Sequence, residues 1–70
     1  MNQRLDRGAR YAWTITIAFG PARMDSKGIT VGNGETVAEA KEAVRVFSAG
    51  RMNAPVNHVT VVAFTIASAR

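Results

Sequence analysis

The chain reads as a small α+β domain: a three-stranded antiparallel sheet (ββαβ, order 2-1-3) with one helix on one face. Three observations predict this. Residues 11–19 alternate large and small side chains with a period of two. Residues 36–49 repeat apolar side chains at spacings of three and four behind a capping signal. Residues 56–69 (VNHVTVVAFTIASA) are rich in β-branched and aromatic residues and hold no formal charge. A hairpin between the first two strands makes them antiparallel. A right-handed crossover through the helix then returns the last strand parallel to the second, beside the first.

In chain order, residues 1–10 (MNQRLDRGAR) are polar, with Arg4, Arg7 and Arg10 three apart. Gly8 and the scarcity of apolar residues argue against a helix, so a flexible basic arm is expected, followed by one domain over residues 11–70. In the first strand Tyr11, Trp13, Ile15, Ile17 and Phe19 form the core face, and Ala12, Thr14, Thr16 and Ala18 the other. Residues 20–28 (GPARMDSKG) carry turn-forming residues and are expected as a long loop bearing Arg23 and Lys27. Residues 29–31 then make a short second strand, ended by Gly32-Asn33-Gly34.

Thr36 followed by Glu39 is a capping box, in which hydroxyl and carboxylate each satisfy a backbone N–H of the first turn. Val37, Ala40, Val44 and Phe47 form the inward stripe, and Gly50 is the expected stop. In the last strand Thr60, Val62, Phe64 and Ile66 would face the helix. Val59, Val61, Ala63, Thr65 and Ala67 would face away, and Val59, Val61, Ala63 and Thr65 are the expected oligomer interface. The hairpin followed by GITVGNGETVAEAKEAV resembles the opening of a ubiquitin-like β-grasp domain over roughly residues 11–49. That resemblance implies a last strand parallel to the first, and a partial β-grasp is the alternative fold. The later strands of that family are missing, and the chain ends in Ala69-Arg70 rather than in a diglycine tail.

Size and composition bound the function. A 70-residue chain buries only about 60% of its unfolded surface, so its core is marginal. With no cysteine and one histidine, neither disulfides nor a closed zinc site can staple it, and oligomerisation is what remains. No signal peptide or membrane span is read, and the absence of cysteine fits a reducing compartment, so a cytoplasmic protein is expected. Nine Lys and Arg against five Asp and Glu favour acidic partners, nucleic acid first.

No residue set fixes a reaction. Gly32-Asn33-Gly34 before a helix could cradle a phosphate, but Val37 stands where a dinucleotide fingerprint needs its third glycine, and a plain turn explains it better. His58 has no Cys or second His beside it, and Ser26, Ser48 and Ser68 have no reason to converge on it. Tyr11, Trp13 and Phe19 could stack bases, but they share the face that Ile15 and Ile17 need to bury. The expected function is therefore a small non-enzymatic binding module without a cofactor. It is read as a nucleic-acid-associated accessory or regulatory protein of the phage or mobile-element type, acting as an oligomer. Arg4, Arg7, Arg10, Arg23, Lys27 and Arg51 are the candidate contacts to DNA or RNA. The alternative is a protein-binding adaptor or inhibitor that uses its sheet edge or sheet face.

Overall fold

The computed structural model describes residues 3–69; Met1 and Asn2 of the expected arm, and the terminal Arg70, lie outside the described residues. Strand β1 (Arg10–Phe19) lies between β2 (Ala22–Val31) and β3 (Thr60–Ser68), antiparallel to both, in the order β2-β1-β3. Helix α1 (Val37–Met52) packs on one face, over β1 and β3. The predicted ββαβ sheet is therefore the fold. The β-grasp alternative fails, because β3 runs antiparallel to β1.

The large residues of β1 form the core. Ile15 and Ile17 are 2% and 0% exposed, and Trp13 joins them beneath Val44 and Ala49 of the helix. At about 25 cal/mol per Å² of buried apolar surface, these side chains carry much of what holds so small a domain together. Phe47 departs from the expected inward stripe: it is 53% exposed, and the buried helical residues are Ala40, Val44, Ser48 and Ala49. The stripe advances four residues at a time, which leaves Phe47 at the rim. There it meets Trp13 edge to face at 6.3 Å and lies under the Arg51 guanidinium at 5.8 Å.

The expected loop over residues 20–28 is instead most of β2. The hairpin closes in two residues, Gly20 and Pro21, between the paired Phe19 and Ala22. Gly20 takes φ +59 and proline fixes the next φ near −65°, the sequence of a type II′ turn, which suits the twist of the strands. Asp25 and Ser26, read from sequence as turn formers, and Lys27, read as a loop cation, sit in an edge strand where charge is tolerated. Gly28 is there for space: a Cβ on it would stand 2.6 Å from Trp13 Cζ2, because the indole lies across this point of β2.

The helix begins as predicted. Thr36 is the N-cap, with Glu39 N–H donating to its hydroxyl (3.1 Å) and its own N–H donating to the Glu39 carboxylate (2.9 Å). It runs past Gly50, the expected stop, and ends at Asn53, which adopts the left-handed conformation at φ 59.

Residues 3–9 do not hang free. Leu5 N–H donates to Glu35 O (2.8 Å), Gly34 N–H to Leu5 O (3.1 Å) and Val37 N–H to Gln3 O (3.0 Å). Leu5, an apolar residue of the expected arm, is 4% exposed. The segment is stitched to the stretch before the helix.

The last strand is shorter than residues 56–69, since Val56–His58 forms a 3₁₀ turn and β3 starts at Thr60. A bulge at Val62 shifts its register: Thr16 pairs with Ala63, but Ile17 pairs with Val61. This overturns part of the expected facing. Phe64 and Ile66 face the helix as predicted, while Val59 (6% exposed) and Val61 also pack into the core. They cannot form an outward interface; of the four residues assigned to it, only Ala63 and Thr65 lie on the outer face.

Candidate functional site

The face of the sheet opposite the helix is left open. Its residues lie in rows fixed by register: Lys27, Thr14 and Thr65; Asp25, Thr16 and Ala63; Arg23, Ala18 and Thr60; Ile29, Ala12 and Ala67. Arg10 and Val31 pair at one end. Threonine suits such a surface, since it keeps the β-branched shape a strand prefers while offering water a hydroxyl. The Thr14 and Thr65 hydroxyls bond to each other, and the Thr16 hydroxyl donates to Asp25 Oδ1 at 2.6 Å. The face is lined mainly by alanine and threonine and, among the described residues, carries three cations, Arg10, Arg23 and Lys27, against one carboxylate, Asp25.

The six candidate cations do not form one patch. Arg4 folds back, its Nη1 donating to Gly34 O at 2.7 Å, and Arg7 lies beside Gly34. Arg51 belongs to the helix layer, over Phe47, and reaches the β2 edge, where an open recess of about 570 Å³ is lined by Ser26, Lys27 and Arg51 among others. Arg10, Arg23 and Lys27 share the open face. Sequence reasoning could not group them, because residues in a loop have no common face; only the assignment of residues 22–31 as a strand aligns them.

The other candidates are accounted for locally. The backbone N–H groups of Gly32-Asn33-Gly34 are occupied: Gly32 by Ala9 O (2.7 Å), Asn33 by Glu35 Oε1 (2.6 Å) and Gly34 by Leu5 O (3.1 Å). They are not aimed at an anion. His58 is exposed in the 3₁₀ turn. Trp13 is buried, which removes it as a platform for bases. Among the described residues no group of three His, Cys, Asp or Glu could hold a metal ion, and no helix is long and apolar enough to cross a membrane.

Charge in the helix layer is mostly engaged. Arg45 donates to both oxygens of Glu42 (2.9 and 2.6 Å) and to the carbonyls of Val56 (2.6 Å) and Val59 (3.1 Å), strapping the helix to the approach of β3. The bond from Arg45 holds the Glu42 carboxyl below its usual range, and the same bond raises the Arg45 guanidinium. Glu39 is lowered first by the Thr36 backbone N–H and then by the Thr36 hydroxyl. The carbonyl partners of Arg45 come from the 3₁₀ turn and the residue after it, a stretch the sequence reads as part of the last strand.

No protein-family model matches the chain, and no curated protein or solved structure shows a significant match to it.

Proposed function

We propose that the protein is a non-enzymatic, cytoplasmic binding module associated with nucleic acid, and that its working surface is the open face of the sheet. The observation that supports this is the placement of Arg10, Arg23 and Lys27 along one face of the sheet, where the one carboxylate among the described residues already accepts from Thr16. A lattice of alanine and threonine lets a phosphate backbone come close, and threonine hydroxyls can donate to phosphate oxygens. With Trp13 buried, contacts go to phosphates rather than to stacked bases. Binding is therefore largely sequence-independent, with a dissociation constant of order 10⁻⁴ to 10⁻⁶ M at physiological salt.

The test is fluorescence anisotropy with labelled duplex and single strands over a series of salt concentrations. Changing Arg10, Arg23 and Lys27 together to Ala should flatten the slope of log affinity against log salt on duplex by up to roughly 2.7 per copy engaged. Arg51→Ala, on the other layer, should leave the slope nearly unchanged. No binding at about 50 mM salt would overturn the reading and favour a protein-binding adaptor.

A further inference from the structure

The free edge of β2 is a self-complementary surface. We propose that the protein is a homodimer in which β2 pairs antiparallel with β2 of a second copy about a two-fold axis at Ser26. This rests on the edge of β2 and stands whether or not the open face binds nucleic acid.

Hydrogen-bond alternation sets which groups are free. Gly32 N–H donates to Ala9 O, and Arg10 O turns the other way to accept from Ala69 N–H. Arg10 and Val31 are thus a non-hydrogen-bonded pair, and alternation along an antiparallel ladder makes Asp25 with Thr16 and Lys27 with Thr14 non-bonded as well. The N–H and C=O groups of Arg23, Asp25, Lys27 and Ile29 therefore point out of the sheet, where no described strand meets them.

Charge selects the register. An axis at Ser26 aligns residues 22–30 of both copies and sets Asp25 opposite the partner's Lys27, twice. Both residues lie on the open face, and both belong to the set with outward backbone groups. An axis at Asp25 would oppose Asp25 to itself and Arg23 to the partner's Lys27. An axis at Lys27 would oppose Lys27 to itself, and one at Met24 would align only residues 22–26. The helix side agrees with the first choice: Met24 falls opposite the partner's Gly28, the position without a side chain, beside the Trp13 indole that covers it. A flexible thioether against an aromatic edge is a favourable contact. The groove between β2 and α1 at this flank, lined by Trp13, Ala43 and Phe47, would then be bordered by a second copy. The other free edge is a poorer site, since the bulge at Val62 breaks the regularity of β3. In the dimer the sheet is continuous, and each Asp25 is neutralised by the partner's Lys27.

The experiment combines sedimentation or light scattering with charge exchange. The parent should be a dimer at about 100 µM. Asp25→Lys and Lys27→Asp should each weaken association at least about tenfold, since each turns two attractive cross-strand pairs into repulsive ones. Mixed one to one, the two variants should re-form a dimer, because every facing pair is again of opposite sign. The double exchange D25K/K27D should also dimerise. Independently, Ser26→Cys in this cysteine-free chain should oxidise to a covalent dimer, since non-bonded partners stand about 4.5 Å apart at Cα, within disulfide range. Thr60→Cys on β3 should not. A monomeric parent, single-charge variants that associate like the parent, or Ser26→Cys that stays uncross-linked while the dimer persists would each overturn the proposal.

Discussion

The two faces of β1 are built from alternate residues of one strand and have opposite fates. Trp13, Ile15 and Ile17 lie under the helix and are nearly free of water, whereas Ala12, Thr14, Thr16 and Ala18 lie under nothing. The difference teaches how a chain with a single helix distributes its apolar mass. One helix can close only one side of a three-stranded sheet, so the large side chains are spent there. The other side is kept strand-like but wettable by threonine, whose hydroxyls find partners on neighbouring strands. The closed face supplies stability, and the open face is left to meet something else.

The sharpest way to break this comparison is to truncate both faces at adjacent residues. Ile17→Ala removes fully buried methyl and methylene groups and should cost about 2–5 kcal/mol. A domain this small has little margin, so most of the variant should be unfolded at room temperature. Thr16→Ala, one residue away, loses a part-exposed hydroxyl and its bond to Asp25, and should cost about 1 kcal/mol or less. Urea melts followed by circular dichroism measure both. Equal losses would show that the open face is also a core face, covered by a surface that the single chain does not reveal.

This layering was legible because β1 alternates so cleanly that its register could be assigned without a partner. The capping box was legible for a similar reason: Thr36 and Glu39 act within one turn. What could not be read depended on distant partners. Residues 22–28 look like a loop until the Trp13 indole is laid across Gly28 and the charges are recognised as those of an edge. Alternation alone placed Val59 and Val61 outward, because a bulge at Val62 leaves no mark in composition. Leu5 is one apolar residue in a polar stretch, and only the backbone ladder to residues 32–37 explains its burial. The open-face cations followed the same rule. Arg23 and Lys27 acquired a face, the one that also carries Arg10, only when β2 became a strand.

A smaller effect tests how firmly the helix closes its side. Thr36→Ala removes the cap hydroxyl and should destabilise the fold by about 1 kcal/mol. It should also change the response to acid. Glu39 and Glu42 have folded-state pKa values below the ordinary 4.5, so their contribution is present above that value and is lost as pH falls through the folded values. The parent should therefore lose stability below about pH 4.5. Thr36→Ala should lose slightly less over the same interval, since it keeps the backbone N–H that lowers Glu39 most and removes only the hydroxyl, the second cause. Parallel acid profiles for the two proteins would mean that the Thr36 hydroxyl does not bond to Glu39 in solution.

The smallest expected effect lies where the closed face is imperfect. Ser48 is 0% exposed, and its hydroxyl has no hydrogen-bond partner among the described residues. It occupies the place in the helical stripe, four residues after Val44, where an apolar side chain would be expected to press on the sheet. A buried hydroxyl without a partner forgoes its bonds to water, and serine is also a weaker helix former than alanine. Ser48→Ala removes both penalties and leaves a void of only one oxygen atom. The variant should be more stable than the parent by roughly 0.5–1 kcal/mol, read as a higher midpoint at an unchanged denaturant slope. A loss of stability instead would mean that the hydroxyl has a partner in solution, a buried water or the Val44 carbonyl one turn back. The hydroxyl would then be one of the closed face's bonds, and the contrast between a purely apolar side and a hydroxyl-lined side would be narrower than the burial pattern implies.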